Sequence, residues 1–215
     1  MGSFFQRIIF NATLILGVAA IILILSRRSI KNRHSIKNKF LEEEMEANAA
    51  RKKDIEPEFF YYPTLDSLPL HEDADGEIKK KQEIVKKHAN LTMIYFPKKP
   101  TNLELKKAYG RANLEKITGY EENYSRYISS LVSWANALIE NGGEGQKDDA
   151  INILENTVKL GSEFSKTYML LADHYKNQDN IEGLNHLLDK INVAIADNGI
   201  RHRLVQYIMD KKESL

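Results

Sequence analysis

Cysteine is absent from the 215-residue chain. Its absence excludes a disulfide framework, a thiolate metal site and a cysteine nucleophile, and it fits a reducing compartment. Proline and glycine are sparse, at 5 and 11 residues, so few positions break a helix and helices should dominate. No charge of one sign prevails: 31 Lys and Arg stand against 30 Asp and Glu, and only their segregation along the chain carries information. Motifs of chemistry are missing too. There is no phosphate loop, no GxSxG, no Rossmann glycine pattern and no HExxH, and the histidines His34, His71, His88, His174, His186 and His202 have no carboxylates at metal-ligand spacing. The sequence therefore predicts no catalytic residue, no metal site and no cofactor, and reads as a protein that is not an enzyme. What is present is 42% hydrophobic residues, enough for a folded core.

One long apolar run exists. Ile8 to Leu25 spans 18 residues, interrupted only by Asn11 and Thr13 and free of charge. At ~1.5 Å per residue a helix of this length covers most of a ~30 Å hydrocarbon layer while satisfying its own backbone hydrogen bonds. A cleaved signal peptide would place a small-x-small site after the run, whereas Ser26-Arg27-Arg28 follows at once. The run is read as a retained transmembrane helix behind a short tail at 1–7. Its N-terminal flank carries Arg7 and the α-amino group, and its C-terminal flank carries Arg27, Arg28, Lys31, Arg33, Lys37 and Lys39. Basic residues resist translocation, so the chain is expected to be a single-pass membrane protein with its C-terminal bulk cytoplasmic. The same six cations either set topology alone or also meet anionic lipid. A nucleic-acid partner is not expected beside a membrane span.

Residues 26–53 read as a basic juxtamembrane segment and helical stalk. Phe40 to Lys53 has good helix formers, with acidic residues early and basic ones late. From 54 to 76 acidic residues gather without Lys or Arg, and Pro57, Pro63 and Pro69 interrupt the segment, as in a linker. Phe59, Phe60, Tyr61 and Tyr62 within it have two readings, folding back onto the helical domain or docking to a partner. Asp73, Asp75 and Glu77 lack the spacing of a calcium loop. Residues 77–119 are read as capping helices: a lysine-rich partial stripe to Tyr95, then a helix capped at Thr101 or Asn102 and ended by Gly119.

The strongest periodicity lies in 120–195. Tyr124, Tyr127, Ile128, Leu131, Trp134, Ala135, Leu138 and Ile139 fall at steps of three and four before Asn141-Gly142-Gly143. A second helix carries Ala150, Ile153, Leu154, Thr157, Val158 and Leu160 up to Gly161; a third carries Tyr168, Leu171, Ala172 and Tyr175; a fourth carries Leu184, Leu187, Leu188 and Ile191. Leu131, Trp134, Ala135 and Leu138 are spaced like Tyr168, Leu171, Ala172 and Tyr175, and Ala150, Leu154 and Thr157 like Leu184, Leu188 and Ile191. The offset between the helix pairs resembles the tetratricopeptide repeat, which has a period of about 34 residues. Ala135, Ala172 and Ala150 occupy that repeat's small positions, while Leu184 departs from the pattern and no proline follows either pair. The stretch from Asn102 to Ile117 is similar to one found beside such repeats in short membrane-anchored bacterial proteins of uncharacterised function. Arg201 to Lys212, with Leu204, Val205 and Ile208, is expected to form a capping helix in 196–215. The expected fold is thus all-α, a transmembrane helix followed by a short array of antiparallel helix pairs.

The resemblance implies a protein-binding groove lined by the first helix of each pair. Its residues would be Ser129, Val132, Asn136 and Ile139, then Lys166, Met169, Asp173 and Lys176. In the subclass that clamps C-terminal carboxylates, lysines and asparagines occupy these places; Asn136 conforms, and Val132 and Asp173 depart. The expected function is a membrane-tethered scaffold binding a protein partner. The competing expectations are a structural subunit of a larger membrane complex, and an enzyme that motifs do not reveal.

Overall fold

The computed structural model describes residues 37–74 and 76–215. The apolar run at 8–25 and the basic residues Arg27, Arg28, Lys31 and Arg33 lie outside the described residues. Among the described residues no helix is long and apolar enough to cross a membrane. The described chain is all-α apart from two short strands, and it divides into two compact units.

The first unit comprises residues up to Ile55 together with Lys98–Leu114. Its helix α1 covers residues 37–49. The numbering α2 (Gly76–Ala89), α3 (Asn102–Tyr109), α4 (Arg111–Asn141), α5 (Glu144–Lys159), α6 (Ser165–Asn177), α7 (Ile181–Ala194) and α8 (Asn198–Glu213) follows chain order. Thr101 starts α3 with a capping box: its hydroxyl accepts from Glu104 N–H, and the Glu104 carboxylate accepts from Thr101 N–H at 2.7 Å. That backbone donor, then the Thr101 hydroxyl, lowers the Glu104 pKa. Ion pairs join α1 to α3, Glu44 to Lys106 at 2.8 Å and Glu46 to Lys107 at 3.2 Å. Ala47 is fully buried, so the part of the expected stalk that α1 covers packs one face here instead of standing free.

The helix expected to run from 102 to a stop at Gly119 is two helices. Gly110, at φ 79° and ψ 150°, ends α3, and α4 continues through Gly119 for 31 residues. A Cβ on Gly110 would lie 2.9 Å from the Arg51 carbonyl, whereas one on Gly119 would meet nothing within 4 Å. Backbone crowding and a positive φ therefore make the break at the first glycine, and the second costs the helix only its ~1 kcal/mol propensity deficit.

The second unit comprises Glu56–Pro97 and Glu115–Leu215. The segment expected to be a linker folds into it. Strand β1 (Phe60–Tyr61) pairs antiparallel with β2 (Met93–Ile94), in the register Phe60 to Ile94 and Tyr61 to Met93. Short 3₁₀ turns occupy Pro57–Phe59 and Leu65–Ser67. Leu68 and Ala74 are buried, and the His71 backbone exchanges two hydrogen bonds with the buried Gln82 side chain of α2, at 2.9 and 3.2 Å. Apolar and aromatic side chains outweigh the segment's charge here: burial of a large side chain is worth ~1.5–3 kcal/mol, and Glu58, Asp66, Glu72 and Asp73 remain exposed.

Helices α5 to α8 begin and end close to the expected positions. Gly161, at φ 75°, follows α5; Asp179, at φ 52°, lies in the turn after α6; Asn180 and Asp197 cap α7 and α8 through the amides of Gly183 and Ile200. Helix α5 packs on α6, α6 on both α7 and α8, and α7 on α8. One core runs through them, with Ala135, Ala150 and Ala172 fully buried among Leu131, Trp134, Leu138, Leu154, Tyr168, Leu171 and Leu184.

Candidate functional site

A cleft of about 380 Å³ opens between α2, α4 and the start of α6. Its α4 wall is a row of serines, Ser125, Ser129 and Ser133, brought to one face by steps of four. Ser130, also at the wall, returns its hydroxyl to the Tyr127 carbonyl at 2.7 Å. From α2, Lys81, Ile84 and His88 project from one face, and Phe164 closes the α6 side. The surface is mostly carbon. The flanking cations are engaged within their own helices, Lys81 with Glu77 at 3.2 Å and Arg126 with Glu122 at 3.2 Å. His88 Nδ1 is buried and meets no hydrogen-bond partner. An apolar floor, a hydroxyl row and an imidazole give the cleft both carbon surface and hydrogen-bonding groups.

Of the groove residues expected from the sequence, Ser129 lies in this cleft. Val132 is buried, at 4% exposure, in the core cluster that also holds Ile78 and Val85 of α2. Asn136 and Ile139 are half-buried, and Ile139 packs against the core. Lys166 and Met169 are exposed and Lys176 half-buried. Asp173 is already engaged: it accepts from the Tyr207 hydroxyl at 2.7 Å and pairs with Lys211 at 2.7 Å, both on α8. Lys211 also sits 5.0 Å from the Tyr207 ring centroid, and its bond to Asp173 raises its pKa. Sequence reasoning missed Tyr207 and Lys211, whose only signal was their shared face at i and i+4. It also missed His88, Ser133 and Phe164, although the serine row was visible at its spacing.

The aromatic arm is mostly packed. Phe59 lies 4.8 Å from Phe96, Phe60 6.2 Å from Tyr120, and Tyr61 5.2 and 6.0 Å from Tyr124 and Tyr127. Tyr62 is 76% exposed. Tyr124 also donates to the Leu160 carbonyl at 2.6 Å, and the tilted Tyr95 ring lies 5.0 Å from that of Tyr124. His71 and Asp149 pair at 3.2 Å across the α5 side. Of the membrane-surface residues expected from the sequence, Lys37 and Lys39 are described, and both are exposed.

Burial dominates the acid–base behaviour of this region. It raises the pKa of Tyr61, Tyr124 and Tyr127; for Tyr175 burial acts first and the hydrogen bond to Glu155 second. Tyr168 is pushed up to about 12, by burial and then by the charge of Glu163. A free phenol titrates near 10, so these tyrosines hold their protons more tightly folded than unfolded. Their contribution is complete below pH ~10 and is lost as pH rises through the raised folded values. The protein should therefore unfold in alkali, with a late component of phenolate absorbance appearing together with the loss of helical circular dichroism. Ionisation of every tyrosine with the helices intact would contradict the burial described here.

Among the described residues no three His, Asp or Glu gather as a metal site. No protein-family model, no curated protein and no solved structure matches the chain.

Proposed function

We propose that this protein is a membrane-tethered scaffold whose α4–α8 segment is a short tetratricopeptide-like array that binds a protein partner on the cytoplasmic side. The observation that carries the reading is the order of packing: α6 contacts α5 before it, α7 after it and α8 beyond. Stacked helix pairs have this property, since each pair buries its apolar face only against neighbours. Fully buried alanines at 135, 150 and 172 fit the close approaches such pairs need. The run at 8–25 supplies the tether, and the six cations after it supply the sidedness. Partner contact is assigned to the cleft with Ser129 and Ser133 and to Met169 and Lys166, which α6 leaves exposed.

The test is site-specific photo-crosslinking of the full chain in intact cells. A crosslinker at Met169 or Lys176 should yield a discrete adduct that disappears when Ser133→Trp fills the cleft, and one at the exposed Asn152 of α5 should yield none. Adducts only from Val193, which is 88% exposed on α7, would favour the structural-subunit reading. No adduct from any of these positions would overturn both.

A further inference from the structure

Strand β1 leaves one of its edges open. In the register Phe60 to Ile94 and Tyr61 to Met93, Tyr95 N–H donates to the Phe59 carbonyl at 2.9 Å. Antiparallel alternation then aims the backbone groups of residues 59 and 61 at β2 and those of 60 and 62 away from it. Phe60 N–H turns back to the Pro57 carbonyl. The Phe60 carbonyl and the Tyr62 N–H have no hydrogen-bond partner among the described residues. An acceptor followed by a donor on one edge is the pattern that an added strand completes. Pro63, which has no N–H, ends it.

The side chains beside that edge specify the occupant. Alternation puts Tyr61 against Tyr124 and Tyr127 and sends Phe60 and Tyr62 to the opposite face. There the rings form a row: Tyr62 stacks on Phe60 at 6.4 Å and 17°, and Phe60 lies 6.2 Å from Tyr120. One end of the row already holds a cation, with Lys116 Nζ 5.6 Å from the Tyr120 centroid. At the other end Tyr62 is 76% exposed, so its ring is free to take a second. Glu58 and Asp66, close to the edge along the chain, are exposed and have no ion-pair partner among the described residues. Residues 54–77 contain no Lys or Arg to neutralise them.

We propose that this edge binds an extended, arginine-bearing segment of a protein partner, added to β1 as a third strand. One residue of the segment donates its N–H to the Phe60 carbonyl and accepts from the Tyr62 N–H, the bonding of a parallel strand. That residue shares the inward face of Tyr61. Its neighbours in the segment share the face of Phe60 and Tyr62, where an arginine stacks on the Tyr62 ring beside the carboxylates of Glu58 and Asp66. The site is separate from the cleft between α2 and α4.

The probe is a fluorescein-labelled peptide of alternating valine and arginine, titrated with the full chain in neutral detergent and followed by anisotropy. One control peptide replaces arginine by glutamate. Another keeps arginine but carries N-methylated valines, whose amides face β1. The arginine peptide should bind saturably, and both controls should bind at least about tenfold more weakly. Tyr62→Leu, at an exposed position, should weaken binding about 2–5-fold, with unchanged helical circular dichroism. Ser133→Trp, which fills the cleft, should leave it unchanged. No saturable binding of the arginine peptide would overturn the inference. Equal binding of the N-methylated peptide would reduce the contact to charge alone and overturn strand addition. Undiminished binding to Tyr62→Leu, or loss of binding in Ser133→Trp, would place the peptide elsewhere and equally overturn it.

Discussion

Replacing Trp134 by alanine is expected to destabilise the second unit by about 3–5 kcal/mol, the usual cost of deleting a large buried aromatic. Trp134 is fully buried in the core cluster of α4–α8. Total stabilities of domains are only about 5–15 kcal/mol, so this one change removes a large share. Trp134→Phe should behave differently. The indole Nε1 is buried and meets no hydrogen-bond partner, and an unsatisfied buried donor costs about 1–3 kcal/mol. Phenylalanine keeps most of the ring and discards that donor, so the two effects oppose, and the variant should lie within about 1 kcal/mol of the parent. Urea unfolding followed by circular dichroism measures both, since the chain's single tryptophan is the residue removed. Equal losses for Ala and Phe would mean that the indole N–H is bonded after all. The parent itself should show short-wavelength tryptophan emission that soluble quenchers reach poorly.

The helices from α5 to α8 were legible because each combines a wide apolar stripe with a local stop, Gly142-Gly143, Gly161 or Asn177–Asn180. Local chemistry sets those boundaries. What was not legible depends on contacts between distant residues. Gly110 and Gly119 look alike inside one helical pattern, and the chain breaks at the first because residues 51 and 52 press against it. The linker reading of 54–76 followed from its prolines and acids, but a strand of two residues pairing with Met93–Ile94 is too short to leave a period-2 signature. The groove was read from spacing within single helices. Spacing could place Ser129, but not foresee that Val132 enters the core or that Tyr207 and Lys211, distant along the chain, engage Asp173. The cleft likewise needs α2, whose position no α4 periodicity reveals.

Two glycines nine positions apart should respond to alanine in opposite directions. Gly110→Ala is expected to cost about 3–5 kcal/mol. A side chain at φ 79° and ψ 150° sits in a region essentially reserved for glycine, at a cost of about 1–3 kcal/mol. Its Cβ would also lie 2.9 Å from backbone atoms of Arg51 and Lys52. Those atoms belong to a segment held by Lys53 N–H to the Tyr109 carbonyl at 3.2 Å and by Asn113 Nδ2 to the Lys53 carbonyl at 2.6 Å. Displacing it loses bonds worth about 1 kcal/mol each. Gly119→Ala meets open space inside a helix and should stabilise by about 0.4–1 kcal/mol. Because the damage from Gly110→Ala is confined to the first unit, its clearest readout is tryptic cleavage after Arg51, Lys52 and Lys53, which should accelerate strongly, while Gly119→Ala leaves it unchanged. If Gly110→Ala were tolerated as well as Gly119→Ala, the break between α3 and α4 would owe nothing to the close approach of residues 51 and 52.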